Sequence, residues 1–294
     1  MGVNSKILIQ FLDHTEIDKN WWDQEIGQCT NPLIYAKSWY LDAVSPGWGA
    51  ALIEKNKGFV PLTTKRYFGL IPVWLQPLFC QQLGLFLKPG FKLEASALIA
   101  ITKPFFKTQF HQNAGFHIKG AKQKVNYILN LNKSYDELKK AYSKDALKNL
   151  KKYTDFSILQ PEFTEDQFHT LLSSYLSQYG AVEKFNSKKT KLLKRLLFAA
   201  KAHDSLLYFE LKDSKAKLLF TAAILKDEKR IYYLFAAPTP LGRSYSITHH
   251  FIDYLIKAYA GKTLHLDFEG SMIPSVASFY RKWGVQEEHY SVFP

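Results

Sequence analysis

A short run near the end of the chain, residues 264–271, constrains the fold more than any other segment. Apolar and polar side chains alternate strictly along it, which is typical of a β-strand with one buried face. The polar face carries His265, Asp267 and Glu269. Three polar groups on one face of an apolar strand cost free energy if they are buried without partners. We therefore expect a functional site at the carboxyl end of this strand.

The residues after this strand predict a short helix with defined ends. Pro274 suits the first turn of a helix, and Gly284 suits the position just beyond its end. Between them, one helical face carries Val276, Phe279, Tyr280 and Trp283. The chain then returns to a strand pattern over about 287–292. The sequence thus predicts a strand with a polar end, a helix, a glycine stop and a last strand.

The charge of the chain indicates an anionic partner. Lysine and arginine exceed aspartate and glutamate by 13, which favours nucleic acid, a phosphorylated cofactor, a nucleotide-linked substrate or an acidic membrane surface. Two sets of basic residues recur at helical spacing. They are Lys140, Lys144, Lys148 and Lys151, and Lys188, Lys191 and Arg195. Each set is interpreted either as a solvent-exposed helix face or as a surface that binds successive phosphates of a polyanion.

Other sequence features narrow the class of protein. Hydrophobic residues make up 47% of the chain, which predicts packed cores. Cys29 and Cys80 form no Cys-x-x-Cys pattern, so we expect reduced cysteines in a cytoplasmic protein. We see no signal peptide and no apolar run of about 20 residues, so we predict no membrane span. No zinc, metalloprotease or phosphate-loop spacing is present, and we predict no metal.

The order of predicted elements divides the chain into two halves. Ser134 and Glu137 form a capping box for a helix that we extend to about Tyr153. The elements that follow are predicted as strand 156–160, helix 164–180, helix 187–203, strands 206–212, 217–226 and 230–236, helix 244–259, strand 264–268, helix 274–283 and a last strand. The first half has a looser mixture of strands and helices. We predict domains at 1–131 and 155–294, joined by a helix at 132–154.

Three blocks of sequence resemble the FemAB-like branch of the GNAT superfamily of N-acyltransferases. They are residues 35–42 (Tyr-Ala-Lys-Ser-Trp-Tyr-Leu-Asp), 76–84 (Gln-Pro-Leu-Phe-Cys-Gln-Gln-Leu-Gly) and 267–274 (Asp-Phe-Glu-Gly-Ser-Met-Ile-Pro). The element order of the second half is also the GNAT order. The resemblance implies an α+β fold with two tandem GNAT-like domains, each a mixed central sheet flanked by helices. A substrate channel between the domains is part of that expectation.

The resemblance also implies a reaction class, the attack of an amine on an activated carbonyl. The donor would be an acyl-CoA such as acetyl-CoA, or an aminoacyl-tRNA. The acceptor would be an amine-bearing small molecule or a cell-wall precursor. Glu269 and Asp267 are candidate bases, or else capping or salt-bridged carboxylates. Tyr280 matches a tyrosine acid of many GNAT enzymes, or else is an amphipathic core residue.

The donor site is implied at the helix after the fourth strand of the second half. Its candidate residues are Phe235, Ala236, Arg243, Ser244 and Ser246. The family pattern is Arg/Gln-x-x-Gly-x-Gly/Ala, and here Ser246 and Thr248 replace the glycines that let a backbone approach a pyrophosphate. The departure indicates either a different donor, such as aminoacyl-tRNA, or a non-catalytic module that binds a polyanion such as tRNA.

The acceptor site is the least specified part of the prediction. Its candidates are Trp39, Tyr40, Asp42, Gln81, Gln82 and Ser271, the last of which is alternatively a helix cap. For the glutamine pair, the other interpretation is that polar groups satisfy irregular backbone. A membrane-surface role of the basic helices is a further possibility, but no lipid-inserting face is visible on them.

Overall fold

The computed structural model describes residues 7–93, 95–179, 185–270 and 272–293. Its helices and strands follow in chain order. They are β1 (Ile9–Leu12), α1 (Lys19–Gly27), α2 (Ser38–Val44), β2 (Gly49–Ile53), β3 (Gly58–Leu62), β4 (Thr64–Tyr67), β5 (Ile71–Leu75), β6 (Phe86–Leu87), α3 (Ala95–Thr102), β7 (Lys107–His111), β8 (Lys122–Asn130), α4 (Tyr135–Lys140), α5 (Lys144–Asn149), β9 (Phe156–Leu159), α6 (Glu165–Tyr179), α7 (Ser187–Ala202), β10 (Leu206–Asp213), β11 (Leu218–Lys226), β12 (Arg230–Pro238), α8 (Pro240–Ser244), α9 (Ile247–Tyr259), β13 (His265–Asp267), α10 (Pro274–Arg281) and β14 (Gln286–Phe293).

These elements form two compact units. The first unit contains the residues up to Lys124 together with those from His289 onward, and the second unit runs from Val125 to Glu288. Residues 132–154, for which the sequence predicts a connecting helix, fall within the second unit. Their apolar side chains lie in the hydrophobic core of the second unit, beside those of β10–β12 and α9.

The first unit contains two groups of paired strands. One is an antiparallel sheet in the order β1-β2-β3-β6, and the other runs β4-β5-β7-β14 with a parallel pair between β5 and β7. The sequence pattern predicts a single strand over 59–66, but the structure has two strands that break at Thr63. The hydroxyl of Thr63 donates to the carbonyl of Leu75 at 2.7 Å, which satisfies the backbone where the chain leaves one sheet for the other.

The core of the first unit is rich in large aromatic side chains. Trp74 stacks on Phe110 with ring centroids 4.1 Å apart, and Phe110 stacks in turn on Phe293 at 5.0 Å.

Both cysteines of the chain are buried and free of disulfides. Burial raises the pKa of the Cys29 thiol to about 12, so this thiol stays protonated and unreactive at neutral pH.

The second unit is built on one mixed sheet in the order β8-β13-β12-β11-β10-β9. β12 and β13 are parallel, whereas the other neighbours in this sheet are antiparallel. Helix α9 buries one face against the sheet through Phe251, Ile252, Leu255 and Ile256. This apolar face repeats at a spacing of three and four residues, as expected for an amphipathic helix on a sheet.

The helix predicted from Ser134 to about Tyr153 is wrong in one respect, because the structure has two helices there. The capping box of Ser134 and Glu137 starts α4, which ends at Lys140. Ser143 then caps α5 by accepting from the N–H of Ala146. Lys140 and Lys144 therefore lie on different helices, and the basic residues predicted there do not share one continuous helix face.

The helix predicted over 244–259 is also divided. It begins at Ile247, and a separate short helix, α8, precedes it. Between the two helices, Ser246 has a left-handed backbone with φ 57°, which breaks the helical conformation. The predicted stop at Gly284 is confirmed, with φ 72°. A side chain there would meet the Cβ of Ala141 at 2.5 Å, so both conformation and space require glycine.

Within the described residues, no helix has both the length and the apolar character needed to cross a bilayer.

Candidate active site

The most prominent feature of the second unit is the divergence of two parallel strands. β13 pairs with β12 only from Arg230 to Tyr232 and ends at Asp267, whereas β12 continues to Pro238. A cavity of about 540 Å³ lies beside this second half of β12. It is lined by Tyr175, Gln178, Tyr179, Tyr233, Leu234, Phe235, Ala236, Pro238, Arg243, Ser246, Thr248, His249, Gly270, Ile273, Ser275, Val276, Phe279 and Tyr280.

A β-bulge shapes the strand at this point. The register between β11 and β12 shifts between Ala223 and Leu225, so that Tyr233 and Leu234 lie opposite a single residue. A bulge bends its strand and redirects the backbone groups on its open side. Because β13 has already ended, backbone groups of β12 border the cavity rather than a neighbouring strand.

The cavity walls are largely aromatic. The ring of Tyr175 on α6 stacks on Phe235 of β12, with centroids 3.9 Å apart. On the other wall, Tyr280 of α10 packs against Phe268 at 4.7 Å. Two of the predicted donor-site residues, Phe235 and Ala236, therefore line the cavity. An apolar, aromatic pocket with few polar groups is the usual setting of a small-molecule or cofactor site.

Tyr280 is the predicted catalytic residue that the structure places in the cavity wall. Burial raises the pKa of its phenol well above the ordinary value, and the neighbouring Tyr179 and Glu269 act in the same direction. The hydroxyl is therefore protonated throughout the neutral range. Such a group can give a proton to a leaving atom, which is what an acid in this position must do.

Asp267 holds a different position from the one expected of a base. It is fully buried, and its carboxylate forms an ion pair with Arg230 at 2.8 Å. The same carboxylate accepts from the side chain of Asn126 at 3.0 Å and from the backbone N–H of Glu269 at 2.8 Å. Glu288 completes this buried network through a second bond to Arg230 at 2.7 Å. Asp267 is thus a structural carboxylate and does not line the cavity.

This buried network fixes the turn that carries the other candidate base. Glu269 and Gly270 both have left-handed backbones, with φ 55° and 60°. That conformation is costly for a residue with a side chain, and it persists only where the surroundings impose it. The bond from the Glu269 N–H to Asp267 supplies that constraint. Gly270 then lines the cavity, and the Glu269 carboxylate lies near enough to Tyr280 to raise its pKa.

The start of α9 forms the polar end of the cavity. Arg243, in the last turn of α8, is exposed and lines the cavity, as does Ser246. Ser246 is the N-cap residue of α9, but its side chain does not cap the helix. Its hydroxyl is bonded to Asn149 at 3.1 Å instead. Ser244 does not line the cavity, and its hydroxyl donates to the carbonyl of Leu241.

Ser246 has a left-handed backbone, which glycine adopts at less cost than other residues. We expect Ser246→Gly to be more stable to unfolding than Ser246→Ala by about 1 kcal/mol. Both variants lose the bond to Asn149, but only glycine adopts φ 57° without strain. Chemical denaturation of the two variants measures the difference. Equal stabilities would mean that the backbone at this position carries no strain.

Two side chains in the cavity carry buried polar atoms without a hydrogen-bond partner in the described part of the chain. Neither ring nitrogen of His249 has a hydrogen-bond partner among the residues that the structure describes, and the side chain is only 9% exposed. The side-chain oxygen of Gln178 is buried and unpartnered in the same sense. Buried polar groups are normally satisfied, so such atoms in a cavity mark places where a ligand or water binds. Neither residue was among the site residues predicted from the sequence.

The charge state of His249 is set by its surroundings. Burial lowers its pKa from 6.5 to about 4, and the ammonium group of Lys282 acts in the same direction. At neutral pH the ring is therefore uncharged, with one nitrogen that donates and one that accepts. Its ring packs perpendicular to that of Phe279, with centroids 5.0 Å apart, which holds the imidazole in place.

His249 makes stability depend on pH. Between pH 6.5 and 4 the unfolded chain binds a proton that the folded chain excludes, so acidification should destabilise the fold. This effect amounts to at most about 3 kcal/mol, and His249→Leu should remove it. Denaturation of both proteins from pH 7 to pH 4 tests this, with the exposed His117→Leu as the control. Parallel stability curves for the parent and His249→Leu would contradict the assignment.

The predicted acceptor residues of the first unit have structural contacts of their own. Tyr40 is fully buried, and its hydroxyl donates to the carbonyl of Phe79. Gln82 is also fully buried, and its side-chain oxygen accepts from the N–H of Ala114 at 2.9 Å. Trp39 is buried as well, against Tyr40.

The remaining acceptor candidates are less enclosed. Asp42 forms an ion pair with Lys19 at 2.7 Å and accepts from the indole N–H of Trp48. Gln81 accepts from the amide of Gln82 at 3.1 Å. Ser271 lies outside the described residues. Across the described parts of the chain, no three His, Cys, Asp or Glu side chains come together as a metal site would require.

Comparison with known proteins identifies the fold. No family model matches the chain, and no curated protein matches it. Among solved structures, FemX superposes with a TM-score of 0.68 over 96% of both chains, at 13% sequence identity. A tandem GNAT protein from the clavulanic acid biosynthesis pathway gives a TM-score of 0.52 over 97% of both chains, at 10% identity.

The chain has a tandem GNAT fold, similar to that of FemX. N-myristoyltransferase of Saccharomyces cerevisiae, solved with bound myristoyl-CoA, is also similar. Its TM-score is 0.53, over 100% of this chain and 81% of that one, at 10% identity. The predicted fold class is thereby confirmed. At these identities the likeness concerns the GNAT fold, and the chemistry has to be argued from the residues of the cavity.

Proposed function

We propose that this chain is a cytoplasmic acyltransferase that moves an acyl or aminoacyl group from an activated donor to an amine. The observation that carries the proposal is the cavity beside β12, because it joins three parts that this chemistry requires. It has a protonated phenol in Tyr280, backbone groups of a bulged strand and the open start of a helix. The similarity to FemX, the tandem GNAT protein and N-myristoyltransferase supports the same reaction class.

In this proposal the amine attacks the donor's carbonyl carbon and forms the new C–N bond. Glu269, beside the cavity, takes the proton that the amine loses. Backbone N–H groups of β12 near the bulge stabilise the charge that develops on the carbonyl oxygen. The bond to the leaving thiolate or ribose oxygen then breaks, and Tyr280 supplies a proton to that atom. The amine's proton restores the phenol through solvent or Glu269, so the protons balance.

The donor's phosphates are proposed to lie at the start of α9. The first N–H groups of a helix have no partners within the helix, and the helix dipole favours an anion there. The side chain of Ser246 leaves these groups uncapped, and Arg243 stands beside them with its guanidinium exposed. His249 and Gln178 provide further hydrogen bonds deeper in the cavity. Either an acyl-CoA or an aminoacyl-tRNA carries the phosphate that this end would bind.

The acceptor is an amine-bearing small molecule or cell-wall precursor in this proposal. Of the acceptor residues predicted from the sequence, Asp42 and Gln81 are partly exposed and stay predictions. Trp39, Tyr40 and Gln82 are better explained by the packing and hydrogen bonds of that unit.

Calorimetric titration tests the donor site. Acetyl-CoA and a long-chain acyl-CoA are titrated into the parent protein, Arg243→Ala and, as a matched control, the exposed Arg195→Ala of α7. We expect micromolar binding that Arg243→Ala weakens about tenfold, since a hydrogen bond to a charged group contributes roughly 1.5–3 kcal/mol. Arg195→Ala should bind like the parent. Equal acyl-CoA affinities of the parent and Arg243→Ala would contradict the placement of the phosphates.

A second outcome would favour the polyanion-binding alternative. Helix α7 presents Lys188, Lys191 and Arg195 on one continuous, exposed surface. If neither acyl-CoA binds, tRNA is titrated at several salt concentrations. Affinity that falls with about one power of salt per phosphate contacted would indicate electrostatic binding of nucleic acid. Aminoacyl transfer from charged tRNA then separates an enzyme from a binding module.

A further inference from the structure

The turn between β4 and β5 in the first unit exposes unusually large apolar side chains. Phe68 is 95% exposed and Leu70 is 78% exposed. At the base of the turn, Tyr67 and Ile71 form the last cross-strand pair and are also exposed. Single exposed apolar residues are common on proteins, whereas a contiguous group marks a binding surface.

A neighbouring segment extends this surface. Phe106, just before β7, is 77% exposed, and its N–H donates to the carbonyl of Pro72 at 2.9 Å. We name the five side chains the hairpin patch. It consists of Tyr67, Phe68, Leu70, Ile71 and Phe106. All of them belong to the first unit, outside the cavity described above.

The turn itself does not call for phenylalanine. Phe68 and Gly69 both have positive φ, 51° and 74°, and the N–H of Leu70 donates to the carbonyl of Tyr67 at 3.1 Å. Two central residues with positive φ are typical of a type I′ turn, where asparagine and glycine are preferred. A phenylalanine in the left-handed region is conformationally unfavourable. Its presence at an exposed tip therefore points to a contact outside the turn.

Positive charge surrounds the hairpin patch. Lys65 and Arg66 precede it on β4, and Lys103 and Lys107 flank Phe106 in sequence. The strand pairing places Lys65 opposite Val73, and Val73 beside Lys107. None of these four cations forms a salt bridge with another residue that the structure describes.

The sequence around the patch is almost free of acidic residues. Residues 55–124 contain eleven lysines and arginines but a single carboxylate, Glu94, which lies outside the described residues. This segment therefore holds most of the chain's net charge of +13. A long-range positive field of this kind attracts an extended anionic surface.

We propose that the hairpin patch docks the protein on an anionic lipid bilayer. Phe68 and Leu70 enter the boundary between head groups and acyl chains, where aromatic and aliphatic side chains are favoured. The four flanking cations remain at the level of the lipid phosphates. A nucleic acid would use the cations but would gain nothing from leucine and isoleucine, so the composition of the patch favours lipid. The inference does not rest on the proposed transferase activity.

Vesicle flotation with the full-length chain tests this inference. The vesicles are phosphatidylcholine alone, or phosphatidylcholine with about 30% phosphatidylglycerol, in about 0.15 M salt. We expect binding to the anionic vesicles only. Phe68→Asn should weaken it about tenfold or more through lost apolar burial, while suiting the turn better than phenylalanine does. Lys103→Ala with Lys107→Ala should weaken it by about fivefold per charge removed.

Matched controls distinguish binding through the hairpin patch from nonspecific adsorption to the vesicles. Leu8→Ser removes another exposed apolar side chain of the first unit, and Lys188→Ala with Lys191→Ala removes two charges from α7. Both controls should float like the parent protein, and circular dichroism confirms that each variant is folded.

Three results would overturn the inference. The first is equal flotation of the parent and Phe68→Asn. The second is loss of tRNA binding in Phe68→Asn without any vesicle binding by the parent, which would assign the patch to nucleic acid. The third is a concentration-dependent dimer in light scattering that Phe68→Asn abolishes, which would assign the patch to a second copy of the chain.

Discussion

Replacing Arg230 by alanine is expected to lower the free energy of unfolding by about 3–5 kcal/mol. Arg230 is buried and bonds Asp267 at 2.8 Å and Glu288 at 2.7 Å. Without it, two carboxylates that both accept from the side chain of Asn126 lose their shared cation. The loss comes mainly from the uncompensated charge of Asp267, which is fully buried. Chemical denaturation at neutral pH measures this loss.

The same variant should respond to pH in a defined direction. Burial and the Glu288 carboxylate raise the pKa of Asp267, and Arg230 opposes them. Removing Arg230 therefore raises this pKa further. A carboxyl group whose pKa is raised in the folded state destabilises the fold as pH rises through that pKa. The loss in Arg230→Ala should accordingly shrink between pH 7 and pH 5.

Arg281→Ala is the matched control for this prediction. Arg281 forms an exposed ion pair with Glu287 at 3.0 Å, and such surface pairs contribute at most about 1 kcal/mol. A similar loss in both variants, or a loss in Arg230→Ala that does not depend on pH, would mean that the buried network is not what stabilises this part of the sheet.

Replacing Glu269 by glutamine is expected to reduce turnover by about two to four orders of magnitude once a donor and acceptor are known. Glutamine preserves the size of the side chain but cannot accept the amine's proton. Donor affinity and unfolding temperature should change little, because the backbone bond from residue 269 to Asp267 remains. Steady-state kinetics with direct donor titration measures both quantities. Full activity would exclude Glu269 as the base.

Tyr280→Phe provides the complementary test. In the parent protein, the raised pKa of Tyr280 keeps its phenol protonated beyond the neutral range. Ionisation of Tyr280 should therefore cause no loss of activity near pH 9. Removing the hydroxyl should lower the rate of transfer from a donor with a poor leaving group more than the rate from a donor with a good one. Because acid and base act in one reaction, the double variant should lose less than the product of the single losses. Glu287→Gln, outside the cavity, should retain parent activity.

Local patterns predicted the elements of the second half well. The strand and helix signals from Phe156 to Gly284 depend on alternation, helical spacing and capping residues, which are all short-range properties. The breaks at Ser143 and Ser246 were missed, since each depends on a single residue that leaves the helical conformation to meet a tertiary contact. For Ser246 that contact is Asn149, almost a hundred residues earlier in the chain.

The candidate site was predictable only where a residue's role follows from its own element. Tyr280 and Phe235 line the cavity, and the helix and strand that carry them were correctly predicted from local sequence patterns. Asp267 and Glu269 were both candidate bases in sequence, since both were placed on the polar face of one strand with Glu269 nearer its end. The structure separates them through Arg230, whose role depends on a pairing between distant strands. His249 carried no sequence signal, because an unpartnered ring nitrogen is visible only in three dimensions.

The path of the chain has a consequence for the order of events during synthesis. The first unit takes its β14 pairing, Val292 with His111 and Phe293 with Phe110, from residues that a ribosome makes long after the rest of that unit. The second unit is continuous from Val125 to Glu288 and has no such dependence. Until β14 is made, the edge of β7 that pairs with it stays open in the early-made portion, while the later portion can reach its native state first.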